Sequence, residues 1–104
     1  MRAHYSEHMK PSQTLKLHRS AVLEAATRFR TANPRVFGSI LSGRDAEGSD
    51  IDLLVDTLPE TTLFGLGGLQ VELEELLGVP VDLLTPGDLP KEFRSQVLAE
   101  AQPI

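Results

Sequence analysis

The residues that most limit the fold are 49–56, Ser-Asp-Ile-Asp-Leu-Leu-Val-Asp. An apolar run with a polar start and a closing aspartate is the clearest strand in the chain. Side chains two apart on a strand share a face, so Asp50 and Asp52 point one way while Ile51 turns into the core. Two carboxylates held this close repel each other unless a cation lies between them. Presented in this way they suit magnesium, which takes one or two carboxylates and completes its shell with waters and phosphate oxygens.

The other elements follow from periodicity. Leu15, Val22, Ala25, Ala26 and Phe29 recur on one side of a helix predicted over Ser12–Thr31, which Asn33-Pro34 stops. Arg35–Gly38, with Val36 and Phe37, suits a brief buried strand, and Ser39–Ser49 a helical turn and a loop. Leu63–Leu77 is a second helix with Leu69, Leu73, Leu76 and Leu77 as its stripe, and Gly78 ends it. Val79–Thr85 is a third strand, and Asp88 is expected to cap a last helix to about Ala101 with Phe93, Val97 and Ala101 on one side. Residues 1–11 read as a flexible N-terminal extension, and residues 12–104 as the domain itself.

This order, helix-strand-turn-strand-helix-strand-helix, predicts an α/β (α+β) fold with a small mixed β-sheet. A crossover helix makes the second and third strands parallel, and the compact link between the first and second allows them to be antiparallel. Asp82, near the start of the third strand, then approaches Asp50 and Asp52. Gly38 and Ser39, which terminate the first strand, fall at the same end. A glycine leaves room for a phosphate, and the serine hydroxyl with the backbone amides after it can donate to one.

Composition excludes several functions. With 10 Lys and Arg against 15 Asp and Glu, the net charge of -5 gives no electrostatic basis for holding a nucleic acid backbone. The absence of cysteine rules out disulfides and thiolate metal sites. No apolar run approaches a membrane span, and the N-terminus has no apolar signal-peptide centre, so a cytoplasmic location is expected.

Gly38-Ser39, ten residues and then Asp50-Ile51-Asp52 resembles the signature of the polymerase-β-like nucleotidyltransferase superfamily. The chain is more closely similar to its minimal nucleotidyltransferase (MNT) branch, the MntA-type antitoxins. The likeness runs from the first helix to the C-terminus through Val36-Phe37-Gly38-Ser39, Ser49-Asp50-Ile51-Asp52-Leu53-Leu54-Val55, Leu76-Leu77-Gly78, Val81-Asp82-Leu83 and Val97-Leu98-Ala99-Glu100-Ala101. The resemblance implies Asp50, Asp52 and Asp82 as catalytic residues and Mg2+ ligands, two ions being expected. It implies ATP as substrate, with Gly38, Ser39 and Ser49 in nucleotide binding. Relatives commonly read Gly-Ser-x-Ala-Arg-Gly at the loop. Here Ser42 replaces the arginine, and Arg44, two positions on, is the compensating candidate.

The resemblance further implies an antitoxin that neutralises a HEPN-type ribonuclease toxin by binding it and moving AMP onto a toxin tyrosine, within a homo- or hetero-oligomer. Two alternatives are a non-catalytic toxin-binding module and the catalytic half of a split nucleotidyltransferase with a small-molecule acceptor. After a three-stranded core little chain remains to shape a pocket for an antibiotic, tRNA or primer. Other residues have plainer expectations. Asp45 and Glu47 read as a solvated rim, and His4, His8 and His18 as solvent-facing. Tyr5, the single tyrosine, is a poor candidate for self-modification, and the Leu63–Leu69 segment is expected mainly in the core.

Overall fold

The computed structural model of the chain describes residues 9–46 and 49–104. Among the described residues, four α-helices and four strands follow one another as α1 (Pro11–Leu17), α2 (Arg19–Arg28), β1 (Thr31–Phe37), β2 (Ile51–Thr57), α3 (Leu63–Leu77), β3 (Val81–Leu84), α4 (Lys91–Glu100) and β4 (Gln102–Pro103). The strands form one mixed sheet in the order β3-β2-β1-β4. β1 runs antiparallel to β2, β3 runs parallel to β2, and β4 adds antiparallel to the free side of β1.

Period-two alternation along β2 decides which face carries what. Ile51 and Leu53, both fully buried, join Val36, Val81, Leu15, Val22, Ala25, Leu69, Leu73 and Leu77 in one core cluster. Helices α1, α2 and α3 therefore share a core with one face of the sheet. Asp52, Leu54 and Asp56 occupy the opposite face. Of the predicted helical stripes, Leu15, Val22, Ala25, Leu69, Leu73 and Leu77 lie in that core and Phe29 and Leu76 are partly buried against it, while Ala26 is buried beside them in sequence. The parallel and antiparallel pairings expected from crossover length are both present.

Several boundaries differ from expectation. The first helical segment breaks at His18, which is half-buried between α1 and α2 rather than facing solvent. The helix then ends at Arg28, because Arg30 adopts a left-handed conformation (φ 63). Such an exit from the final turn is typical of helix ends but is normally signalled by glycine. Asn33-Pro34 instead occupies an irregularity within β1 between Ala32 and Arg35, where Asn33 is also left-handed (φ 56). A proline in an inner strand is tolerated at such a bulge, where no ladder donor is required.

Asp88 does not cap α4. Its carboxylate accepts from the Thr85 N–H (2.9 Å) and from the Thr85 hydroxyl (3.0 Å), closing a 3-10 turn over Pro86–Asp88, and α4 begins after Pro90. Phe93 is 57% exposed, so α4 does not bury the side expected of it. Within Leu63–Leu69 only Leu69 is core, while Leu63 and Phe64 are exposed. The expectations for the N-terminal extension, Tyr5, His4, His8 and Glu47 fall outside the described residues. No described helix is long and apolar enough to cross a membrane.

Candidate active site

The register of the sheet assembles the site. Asp52 is the direct neighbour of Asp82 across the parallel β2–β3 pair and of Phe37 across the antiparallel β1–β2 pair. Gly38 follows Phe37 at once, so the chain leaves β1 beside the Asp52 carboxylate. Two tethers hold the β3 entrance: the Ile51 N–H donates to the Pro80 carbonyl (3.0 Å), and the Val81 N–H donates to Glu74 Oε2 (2.9 Å). The second anchors the entrance to α3 one residue before Asp82.

Gly38 is required twice over. Its φ of 81 lies in the region L side chains avoid, and a β-carbon there would fall on Asp52 Oδ2, with Cγ only 3.1 Å away. The glycine and the aspartate are thus a matched pair. Gly38–Ile40 forms a single 3-10 turn, closed by the Leu41 N–H donating to the Gly38 carbonyl (3.1 Å). The first N–H groups of such a turn are not consumed by the turn itself and face its N-terminal end.

Asp52 is half-buried, and its carboxyl sits above the usual carboxylate range. Burial is the main cause, followed by the charge of Asp82 and then that of Asp50. Asp50 lies just before β2 and is exposed. The described residues contain no preassembled group of three or more metal-ligating side chains. The donor set nevertheless fits a hard cation: it is all oxygen, and the crowded Asp52 charge is what a cation would relieve. An ion that takes most of its shell from water and phosphate needs no closed protein cage.

Ser49 is engaged locally, its hydroxyl accepting from the Ala46 N–H (2.9 Å) and its own N–H donating to the Ala46 carbonyl (2.9 Å). Asp45 corrects the solvated-rim expectation. It is buried, and its Oδ2 accepts from the Ser12 N–H (2.9 Å). Burial pushes its carboxyl up, but the bonds from the Ser12 N–H and hydroxyl outweigh this, and it ends below the ordinary value. Asp45 therefore fastens the loop to the first turn of α1.

A cleft of about 850 Å³ opens on the β4 side of the turn, lined by Gly38, Ser39, Leu41, Ser42, Arg44 and Gln102 together with Phe37, Val97 and Glu100. The sequence offered no sign of its β4 wall, because a two-residue strand carries no periodicity.

Comparison with known proteins agrees with this geometry. The Nucleotidyltransferase domain family matches residues 18–104, and the chain belongs to that family. It is a nucleotidyltransferase of minimal size. Protein adenylyltransferase MntA of Thermococcus cleftensis is 38% identical over 77 residues, covering 74% of this chain and 78% of that protein. A solved candidate minimal nucleotidyltransferase superposes with a TM-score of 0.82 at 42% identity, covering 93% of this chain and 98% of the other. More distantly, the fold matches a toxin–antitoxin crystal structure with AMP-PNP (TM-score 0.67, 20% identity, 81% of this chain and 69% of that one). It also matches an MntA–HepT toxin–antitoxin structure (TM-score 0.61, 18% identity, 84% and 68%).

Proposed function

We propose that this nucleotidyltransferase moves AMP from ATP to a tyrosine hydroxyl of a HEPN-type toxin and neutralises it, with Asp50, Asp52 and Asp82 as the catalytic carboxylates. The observation that carries this reading is the pairing of Asp52 with Asp82 on adjacent parallel strands, directly beside the Gly38 turn. The MntA relative, named a protein adenylyltransferase, supports the choice of reaction. The toxin–antitoxin complexes that share the fold support the choice of partner.

In the proposed mechanism the Gly38-Ser39 turn receives the terminal phosphates, its glycine permitting close approach and its hydroxyl and amides donating. Asp50, Asp52 and Asp82 would hold one or two magnesium ions, which neutralise phosphate charge and polarise the α-phosphorus. The acceptor hydroxyl oxygen bonds to the α-phosphorus as the bond to the β-phosphate oxygen breaks. The electron pair departs on pyrophosphate, and Asp82 is positioned to take the hydroxyl proton. The domain contributes chiefly placement and charge.

Incubation with ATP, magnesium and a HEPN-type toxin, followed by intact-mass analysis, tests this reading. One AMP added to a toxin tyrosine, and none with Asp82→Ala, is the expected result. An unmodified toxin that is still bound and silenced would replace it with a purely steric antitoxin.

A further inference from the structure

Helix α3 departs from the usual pattern on the side turned away from the core. The helical repeat puts Phe64, Gly67, Val71 and Glu75 in one stripe, opposite the buried Leu69, Leu73 and Leu77. On a helix that covers a sheet, such an outer stripe is ordinarily polar. Here Phe64 is 93% exposed and Val71 55% exposed, and α3 carries no charged side chain before Glu72.

The glycines of α3 single out the same stripe. A β-carbon on Gly68 would lie 2.9 Å from Phe29 Cε1, and one on Gly65 3.3 Å from Thr62 Oγ1. Packing within the chain therefore accounts for both. A β-carbon on Gly67 would meet nothing within 4 Å. An exposed glycine inside a helix is unfavourable relative to alanine, because it surrenders more backbone freedom on folding. Nothing among the described residues requires Gly67, whereas close approach by a second backbone would.

Charge identifies that second backbone. The C-terminal half of α3 holds Glu72, Glu74 and Glu75 near the negative end of the helix dipole, with no basic residue in the last turn. Glu72 pairs with Arg28 (2.6 Å), and Glu74 accepts from the Val81 N–H (2.9 Å). Glu75 is exposed and makes no ion pair among the described residues. The other end of α3 has the opposite sign. It is the positive end of the dipole, and Arg30 lies beside it, its carbonyl accepting from the Thr61 hydroxyl. Arg30 is likewise exposed and makes no ion pair among the described residues. A surface that is apolar in the middle, positive at one end and negative at the other complements itself in reverse.

We infer that the outer stripe of α3 is a self-association surface, on which two copies of this chain pack α3 antiparallel to α3 about a two-fold axis at Gly67. Each Phe64 then meets Val71 of the other copy, and each Arg30 meets the other copy's Glu75. The core and the sheet separate this stripe from Asp52, so both candidate active sites stay open to a partner. The inference goes beyond the nucleotidyl-transfer reading and does not depend on it.

The test is sedimentation velocity of the whole chain over a concentration series reaching the millimolar range. The variants are Phe64→Glu, Gly67→Ala, Arg30→Glu, Glu75→Arg and the double variant Arg30→Glu/Glu75→Arg, with thermal unfolding of each dilute sample to establish that it is folded. Wild type is expected to dimerise as concentration rises, and Phe64→Glu to weaken the dimer at least about tenfold, the scale of losing an aromatic anchor. Gly67→Ala should raise the thermal midpoint of the dilute monomer yet weaken the dimer, a combination that a purely internal role would not produce. Each single charge reversal should weaken association, and the double reversal should restore it. Glu60→Gln, which removes a carboxylate exposed at the Arg30 end, should tighten it. A wild-type chain that stays monomeric throughout overturns the inference. A dimer indifferent to Phe64→Glu and Gly67→Ala lies on another face and overturns it equally. A monomeric wild type whose Phe64→Glu variant loses binding of a HEPN-type toxin would instead give the stripe to the toxin.

Discussion

At the scale of single residues, the proposed catalytic Asp52 lowers the stability of the ligand-free fold at neutral pH. Its carboxyl titrates above the ordinary aspartate range because burial, then Asp82, then Asp50 disfavour its charge. The folded state thus binds this proton more tightly than the unfolded chain does. Stability is greatest below the unfolded-state value, falls as pH rises through the folded-state value, and stays reduced at neutral pH. Asp52→Asn is therefore expected to raise the thermal midpoint of the ligand-free protein at pH 7 while abolishing transfer. A lower midpoint would mean that the carboxylate is a structural asset. Gly38→Ala should do the opposite, costing about 1–2 kcal/mol for the left-handed conformation alone and displacing the Asp52 carboxylate. Transfer should fall at least a hundredfold, by analogy with ångström-scale misplacement of a reacting group; denaturant titration and initial rates would measure the two effects.

Among secondary-structure elements, what could be read from sequence depended on whether the signal was local. α3 was legible to its ends because Thr62 caps it, accepting from the Gly65 N–H (2.9 Å), and Gly78 closes it in the left-handed region (φ 74). The facing of Asp52 toward Asp82 was legible because strand alternation and the right crossover length leave little choice. The end of α2 was hidden because Arg30, not a glycine, makes the left-handed exit. Arg30→Gly should consequently stabilise the protein by about 0.5–1 kcal/mol, relief of that strain outweighing the added freedom of the unfolded chain. An unchanged denaturation midpoint would contradict this.

Asp45 was misjudged for a different reason: its partner, Ser12, is 33 residues away. No local pattern reports such a contact. Asp45→Ala should destabilise the fold by about 1–3 kcal/mol, as expected for a buried charged hydrogen bond. Because the folded-state value of Asp45 is depressed, its contribution is present above the unfolded-state value and is lost as pH falls through the folded one. The difference between wild type and variant should thus shrink in acid, and a difference independent of pH would exclude this origin. β4 was invisible for a related reason, its two residues being placed only by pairing with Val36 and Arg35.

For the whole molecule, the sheet sets the proposed catalytic carboxylates, the Gly38 turn and the open cleft along one end, and the core lies on the other side of the sheet from Asp52. The central claim is transfer of the α-phosphoryl group with loss of pyrophosphate, and label position reports it directly. The protein, magnesium and a HEPN-type toxin should be incubated with ATP labelled at either the α- or the γ-phosphate. The account predicts α-label on the toxin and γ-label released in pyrophosphate, with neither outcome for a folded Asp52→Asn variant. Label from the γ-position on the toxin, or equal α-labelling by the variant, would contradict it.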